Sequence, residues 1–262
     1  MAQQEEGRVT AGDCEIAWHA AGDGPLLAYL HGAGGLRWGR ALDRFAERFR
    51  VVAFDIPGFG GSTLGDSVQS VPDAADALAD AMAQVGHGER MHLLGTSLGG
   101  RTAAWLAVRH PERVERLVLE SPAAFRPPDL PPLSAFPPDE LRRRLYGNPE
   151  QAPPTDDPAV RQQQFQVMAR LTKGVGWDSE LEARLGEIEA PTLVLFGTQD
   201  GLIPPEMGRV YKERIPQAFL SYVYQAAHAI QWDRPDAFAD LVSDFLERGE
   251  AFVVPRAKAT EE

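Results

Sequence analysis

Cysteine is nearly absent from this chain: Cys14 stands alone in 262 residues. An internal disulfide is thereby excluded, and a zinc site or redox pair built on thiolates lacks its companions. No apolar run approaches the roughly 18–20 residues that a membrane-crossing helix requires. Positive charge is also in deficit, with 26 Lys and Arg against 38 Asp and Glu, a net charge of −12. Such a surface repels nucleic acid and anionic membranes, so neither is expected as a partner. The opening 1–6 is polar and acidic, unlike a secretory leader. The expectation is a soluble cytoplasmic protein, monomer or homodimer. What the chain has is apolar material, 44% of its residues, enough for a large core.

Strand-like and helix-like runs alternate, the pattern of a parallel sheet covered on both faces. Strands are expected at 15–19, 25–30, 50–54, 91–94, 114–120, 191–197 and 218–224. Helices are expected at 40–49, 72–85, 101–110 and 235–247, the last with Asp233 as its N-cap. The rhythm breaks after Glu120. Pro122, Pro127, Pro128, Pro131, Pro132, Pro137 and Pro138 crowd a short stretch and bar any regular element from running through it. Helices at 138–146 and 158–173 follow, with Phe165, Val167, Met168, Leu171 and Trp177 as apolar surface to bury. This division gives a core of 1–120 and 190–262, with 121–189 as a lid; an insertion without a binding role is the alternative. The polar tail 251–262 is expected to be frayed.

The chemistry concentrates at Gly95-Thr96-Ser97-Leu98-Gly99-Gly100, directly after the apolar run Met91-His92-Leu93-Leu94. This is the G-x-S-x-G pattern of a strand that turns sharply into a helix and lifts a serine to the tip. Glycines are needed because so tight a turn brings backbone against backbone. A serine hydroxyl needs a base. His19, His87, His92 and His110 lie on strands, turns or a helix end and read as structural or surface residues. His31 opens the glycine loop His31-Gly32-Ala33-Gly34-Gly35 and reads as its packing partner. His228, in the small-residue loop Gln225-Ala226-Ala227-His228-Ala229 after the last strand, is the preferred base.

Asp200 follows the strand at 191–197, where its carboxylate can reach the next strand's loop and fix the imidazole tautomer. Glu120 is the alternative acid. For the negative charge of a tetrahedral intermediate, the Leu98 amide at a helix start and the Ala33 amide form an oxyanion hole, with Gly34 as the other candidate for the loop donor. Gly32, Gly34, Phe125, Phe165, Met168, Trp177 and Trp232 are candidate substrate-binding residues, each also readable as plain core.

Together the His31-Gly32 loop, Asp55-Ile56-Pro57-Gly58-Phe59-Gly60-Gly61-Ser62, the Ser97 elbow, and the Asp200 and His228 loops resemble the α/β-hydrolase fold superfamily along nearly the full chain. The resemblance implies a mostly parallel eight-stranded sheet with helices on both faces, a cap after the sixth strand, and no metal or organic cofactor. Asp55 looks like the family's structural turn residue. Serine at the elbow separates the chain from the haloalkane dehalogenase and epoxide hydrolase branches, whose nucleophile is aspartate. A serine hydrolase acting on a small to medium hydrophobic carboxylic ester is implied. The rival is a meta-cleavage-product C–C hydrolase, which usually carries asparagine where Thr96 stands and tryptophan where Ala229 stands. That group also uses a lid arginine, whereas Arg142, Arg143 and Arg144 read as a solvated helix face. Perhydrolase and lactonase chemistry use a similar triad. A non-catalytic ligand-binding protein of the same fold is the reading from another class.

Overall fold

The computed structural model describes residues 5–254. Eight strands run in chain order as β1 (Glu5–Ala11), β2 (Cys14–Ala21), β3 (Leu26–Leu30), β4 (Arg50–Phe54), β5 (Met91–Thr96), β6 (Val114–Glu120), β7 (Thr192–Gly197) and β8 (Ala218–Val223). The helices are α1 (Arg40–Ala46), α2 (Val71–Val85), α3 (Leu98–Arg109), α4 (Pro138–Leu145), α5 (Pro158–Thr172), α6 (Ser179–Arg184), α7 (Gly208–Arg214), α8 (Ile230–Asp233) and α9 (Pro235–Arg248). The sheet order is β1-β2-β4-β3-β5-β6-β7-β8. From β4 and β3 through β8 all pairings are parallel, while β1 and β2 pair antiparallel at one edge.

A strand buried on both faces reads as an unbroken apolar run whose alternate residues serve two different cores. In β4, Val52 and Phe54 enter one core while Val51 and Ala53 enter the other. The same alternation divides Leu117 and Leu119 from Val118 in β6, and Val194 and Phe196 from Leu193 and Leu195 in β7. The first core is closed by α2, α3 and α7 through residues such as Leu78, Trp105 and Tyr211. The second is closed by α1 and α9 through Leu42, Phe45, Phe238 and Phe245.

The expected elements appear within a few residues of their predicted limits; the short helices α6, α7 and α8 were not among them, and three further differences stand out. The edge strand β1 was not among the expected runs, because most of its side chains face solvent and leave no apolar signature. Asp233 does not cap α9: Arg234 holds that position without a side-chain cap, and the Asp233 carboxylate is engaged elsewhere. Part of the tail is ordered, since Gly249–Val253 winds into a 3₁₀ turn with Phe252 packed on Phe219 and Phe245. The remaining expectations for the opening and the tail fall on 1–4 and 255–262, which lie outside the described residues.

Between β6 and β7 the chain carries α4, α5 and α6. This segment is bound to the core by a buried ion pair. Arg101 of α3 donates to Asp178 at 2.9 Å, the Trp105 indole N–H donates to the same carboxylate oxygen at 2.9 Å, and Asp178 caps α6 through the Leu181 amide. Two charges removed from water at one place are tolerable only when fully hydrogen-bonded, as here.

Candidate active site

The turn between β5 and α3 sets the geometry. Ser97 adopts φ 54°, ψ −112°, a region that non-glycine residues occupy only when the surroundings over-determine it. Three main-chain bonds do so. The Ser97 amide donates to Glu120 O at 2.9 Å, and its carbonyl accepts from Arg101 N at 3.0 Å and Ala123 N at 2.9 Å. The flanking glycines are obligatory: a Cβ at Gly95 would collide with the Gly99 carbonyl, and one at Gly99 with the Leu30 carbonyl. Elbow helix and neighbouring strand therefore touch backbone to backbone, which lifts the serine clear of the sheet.

The hydroxyl points at the loop after β8. Ser97 Oγ lies 2.9 Å from His228 Nε2, and His228 Nδ1 lies 2.8 Å from Asp200 Oδ2. Residues 131 and 28 positions apart in sequence thus form one hydrogen-bonded chain. The other oxygen of Asp200, Oδ1, accepts from the amides of Leu202 at 2.9 Å and Ile203 at 3.0 Å, which fixes the carboxylate's rotation. The Asp200 side chain is wholly buried, and that of His228 nearly so. Burial disfavours the imidazolium, but the Asp200 charge and hydrogen bond, aided by Glu120, outweigh it and hold His228 above its ordinary value.

The glycine loop lies on the other side of the serine. Gly35 N donates to Gly32 O at 3.1 Å, closing a turn whose central residues are Ala33 and Gly34. Gly32 faces Ser97 so closely that a Cβ there would stand 3.3 Å from Ser97 Cβ. Gly34 is exposed, with open space where a side chain would be. His31 anchors the loop from beneath: it is buried, accepts from Ile56 N at 3.1 Å through Nε2, and places Nδ1 2.6 Å from Gly32 O. Asp55 ties its own turn by accepting from Gly61 N at 2.8 Å. Leu98 opens α3, so its amide has no carbonyl four residues earlier in the helix to bond.

The other expected residues are placed unevenly. Glu120 does not reach His228 as an acid; its carboxylate accepts from Thr96 Oγ1 at 2.5 Å and Gln231 N at 2.8 Å instead. Phe125 offers no free wall to a ligand, because its fully buried ring packs between Trp177 and Tyr211 at centroid distances of 5.4 and 4.8 Å. Trp177 joins that cluster and donates its indole N–H to Glu182 at 2.7 Å. Phe165 faces outward and is 45% exposed. Met168 is partly buried against the first core, and Trp232 lies over the backbone of Gly39.

The arginines of α4 are not a uniformly solvated face. Arg142 donates to the carbonyls of Pro149, Ala152 and Pro153, and Arg144 to Gly201 O while stacking on Phe136. Only Arg143 is exposed as expected. Two ties lie outside the sequence reading: Asp233, expected only as a helix cap, instead accepts from Ala227 N at 2.8 Å, Gly147 N at 2.9 Å and Asn148 N at 3.2 Å. Gln164 of α5 donates to Gly34 O at 3.3 Å, setting that helix on the glycine loop. Neither carries a sequence signal, since a surface-type polar residue has no periodicity to betray it. Among the described residues no helix is long and apolar enough to cross a membrane, and no group of three metal-binding side chains is found.

Comparison with known proteins places the chain in a family. The sequence model described as the alpha/beta hydrolase family matches residues 27–241. The chain is 30% identical over 252 residues to a pimeloyl-[acyl-carrier protein] methyl ester esterase of Aeromonas hydrophila subsp. hydrophila, covering 86% of this chain and 96% of the relative. It is 29% identical over 271 residues to a 2-hydroxy-6-oxo-6-phenylhexa-2,4-dienoate hydrolase of Comamonas testosteroni, covering 90% and 92%. Among solved structures, a membrane phospholipase A described as a bacterial virulence factor superposes with TM-score 0.76 at 28% identity, over 93% of this chain and 86% of that one. The dienoate hydrolase of Rhodococcus sp. strain RHA1 gives TM-score 0.76 at 25% identity, over 94% and 100%. The chain belongs to the alpha/beta hydrolase family.

Proposed function

We propose that this protein is a serine hydrolase that cleaves a small to medium hydrophobic carboxylic ester through an acyl-enzyme. The observation that carries the reading is the 2.9 Å separation of Ser97 Oγ and His228 Nε2, backed by Asp200 on the far nitrogen. As Oγ attacks the carbonyl carbon, Nε2 takes its proton, and Asp200 stabilises the imidazolium and keeps the ring's tautomer. Charge on the former carbonyl oxygen goes to the Leu98 amide and to Ala33; the exposure of Gly34 and the closeness of Gly32 to Ser97 favour Ala33 as the loop donor. His228 returns the proton to the alcohol oxygen as the C–O bond breaks. Water, deprotonated by the same nitrogen, then attacks the acyl-enzyme, and Ser97 leaves with the proton.

In this reading 121–189 acts as a lid, with Met168 and Trp232 as pocket candidates. The ester preference over carbon–carbon cleavage rests on Thr96, on Ala229, and on the commitment of Arg142 and Arg144 to carbonyls within the chain. A dienoate substrate carries a carboxylate that wants a cation. The kinship with dienoate hydrolases keeps that second chemistry in the test. A panel of p-nitrophenyl esters assayed beside a ring-cleavage dienoate decides between them. Ester turnover abolished by Ser97→Ala supports the proposal. Faster dienoate cleavage moves the assignment to the C–C class, and tight binding without turnover moves it to a ligand-binding protein.

A further inference from the structure

Below the Ser97–His228 pair lies a second buried carboxylate that the proposed reaction does not consume. Glu120 closes β6 and is fully buried. Its main-chain carbonyl accepts from the Ser97 amide at 2.9 Å, and its side chain turns toward the histidine side. There Oε1 accepts from Gln231 N at 2.8 Å, at the start of α8, three residues beyond His228. Oε2 accepts from Thr96 Oγ1 at 2.5 Å, one residue before the nucleophile. Gln231 closes the network by donating its amide to Tyr29 Oη at 2.8 Å and, more weakly, to Thr96 Oγ1 at 3.2 Å. One residue therefore holds the backbone of the elbow and the helix that follows the base.

The chemistry of this choice is unusual. A buried carboxylate is costly unless a positive charge compensates it, whereas a glutamine of the same shape could occupy the space without that cost. The groups around it are Thr96 from β5, Tyr29 from β3, Gln231, His228 and Asp233 from the loop and helix after β8. Of these only His228 can become positive, and Asp233 is a like charge. A negative site behind the imidazole is useful when the ring takes the serine's proton. Resting on the serine-hydrolase reading above, we infer that Glu120 is a positioning residue that registers the nucleophile against the base and stabilises the imidazolium formed during turnover, alongside Asp200. Burial raises its own carboxyl to about 7, against the opposing bonds from Thr96 and Gln231 and the His228 charge, so its ionisation is sensitive near neutrality.

The test compares Glu120→Gln and Glu120→Asp with wild type by p-nitrophenyl ester kinetics across pH, thermal melting, and NMR titration of the His228 ring. Glutamine should melt no lower than wild type. Its kcat should fall on the order of tenfold at little change in KM, the equivalent of one unit of lost imidazolium stabilisation. The acid limb of kcat/KM and the His228 titration should both move to lower pH, and aspartate, which keeps the charge, should bring the limb back toward its wild-type position. A glutamine variant with wild-type kcat and an unmoved His228 titration overturns the inference. So does a loss of rate that follows only a loss of folded protein. If no ester is turned over even by wild type, the functional reading fails separately, while the His228 titration still decides whether Glu120 acts on the ring.

Discussion

Ala229, the residue after His228, donates its amide to the carbonyl of Leu145 at 2.9 Å, so the His228 loop is hydrogen-bonded to the last turn of α4. The neighbouring Arg144 grips the loop of Asp200, accepting from Gly201 N at 3.3 Å and donating to Gly201 O at 3.1 Å. Asp233 adds a third tie, holding Ala227 on one side and Gly147 and Asn148 on the other. The segment after β6 is thus fastened to both loops that carry the proposed triad's base and acid.

Asp233→Ala should loosen this fastening. Three amides lose their acceptor, at a cost of about 1–3 kcal/mol. Because the slack falls beside His228, kcat/KM should drop more than the loss of folded protein explains. Asp233→Asn, which keeps one acceptor oxygen, should fall between. Melting curves and ester kinetics on the two variants check this, and a full loss of stability with an unaltered rate per folded molecule would contradict it.

Asp200→Asn should be far more severe. Oδ1 is claimed by the Leu202 and Ile203 amides, so the new amide nitrogen is driven to the Oδ2 position, facing His228 Nδ1. An N–H there demands a bare Nδ1 and leaves the proton on Nε2, where it cannot accept from Ser97. The loss in kcat should be about 10⁴, the scale seen when the same tautomer is imposed on a chymotrypsin-type triad. Steady-state kinetics on a chromogenic ester measures it; a loss below tenfold would mean that the imidazole is oriented by another group.

The pH profile should carry the mark of His228. Its conjugate acid is held above the ordinary 6.5, chiefly by Asp200 working against burial. The base must be neutral to act, so kcat/KM should reach half its plateau on the acid side above pH 6.5. A limb centred near or below pH 5 would show that the imidazole is not the titrating group.

How much of this was legible beforehand follows from burial. Strands β3 to β7 announce themselves because residues buried on both faces must be apolar throughout, and the elbow announces itself because its glycines have no alternative. Ser97, Asp200 and His228 were readable as a pattern of residue types at successive strand ends. The edge strand β1 and the ties made by Asp233 and Gln164 were not, since each depends on which polar groups happen to meet once the chain has folded. Phe125 and Phe165 show the converse: an aromatic in the inserted segment can fill a packed cluster or face solvent, and composition does not say which.

Glu120 also predicts an inverse dependence of stability on pH. Its folded carboxyl is raised from 4.5 to about 7, so the protein favours the protonated form more than the unfolded chain does. The contribution is complete below about pH 4.5 and is lost as pH rises through about 7. The melting temperature of Glu120→Gln relative to wild type should therefore climb between those limits and level off above them, by an amount worth a few kcal/mol at most. A difference that is flat with pH would show that the wild-type carboxyl ionises as it does in water.

Peptide mapping by mass spectrometry after treatment with a fluorophosphonate tests the shared premise most directly, namely that the Ser97 hydroxyl is made nucleophilic by the ring 2.9 Å away. Wild type should carry the adduct on Ser97 alone, and His228→Ala, still folded, should label at a small fraction of that rate. Equal labelling of the two proteins, or an adduct on any other serine, would contradict it.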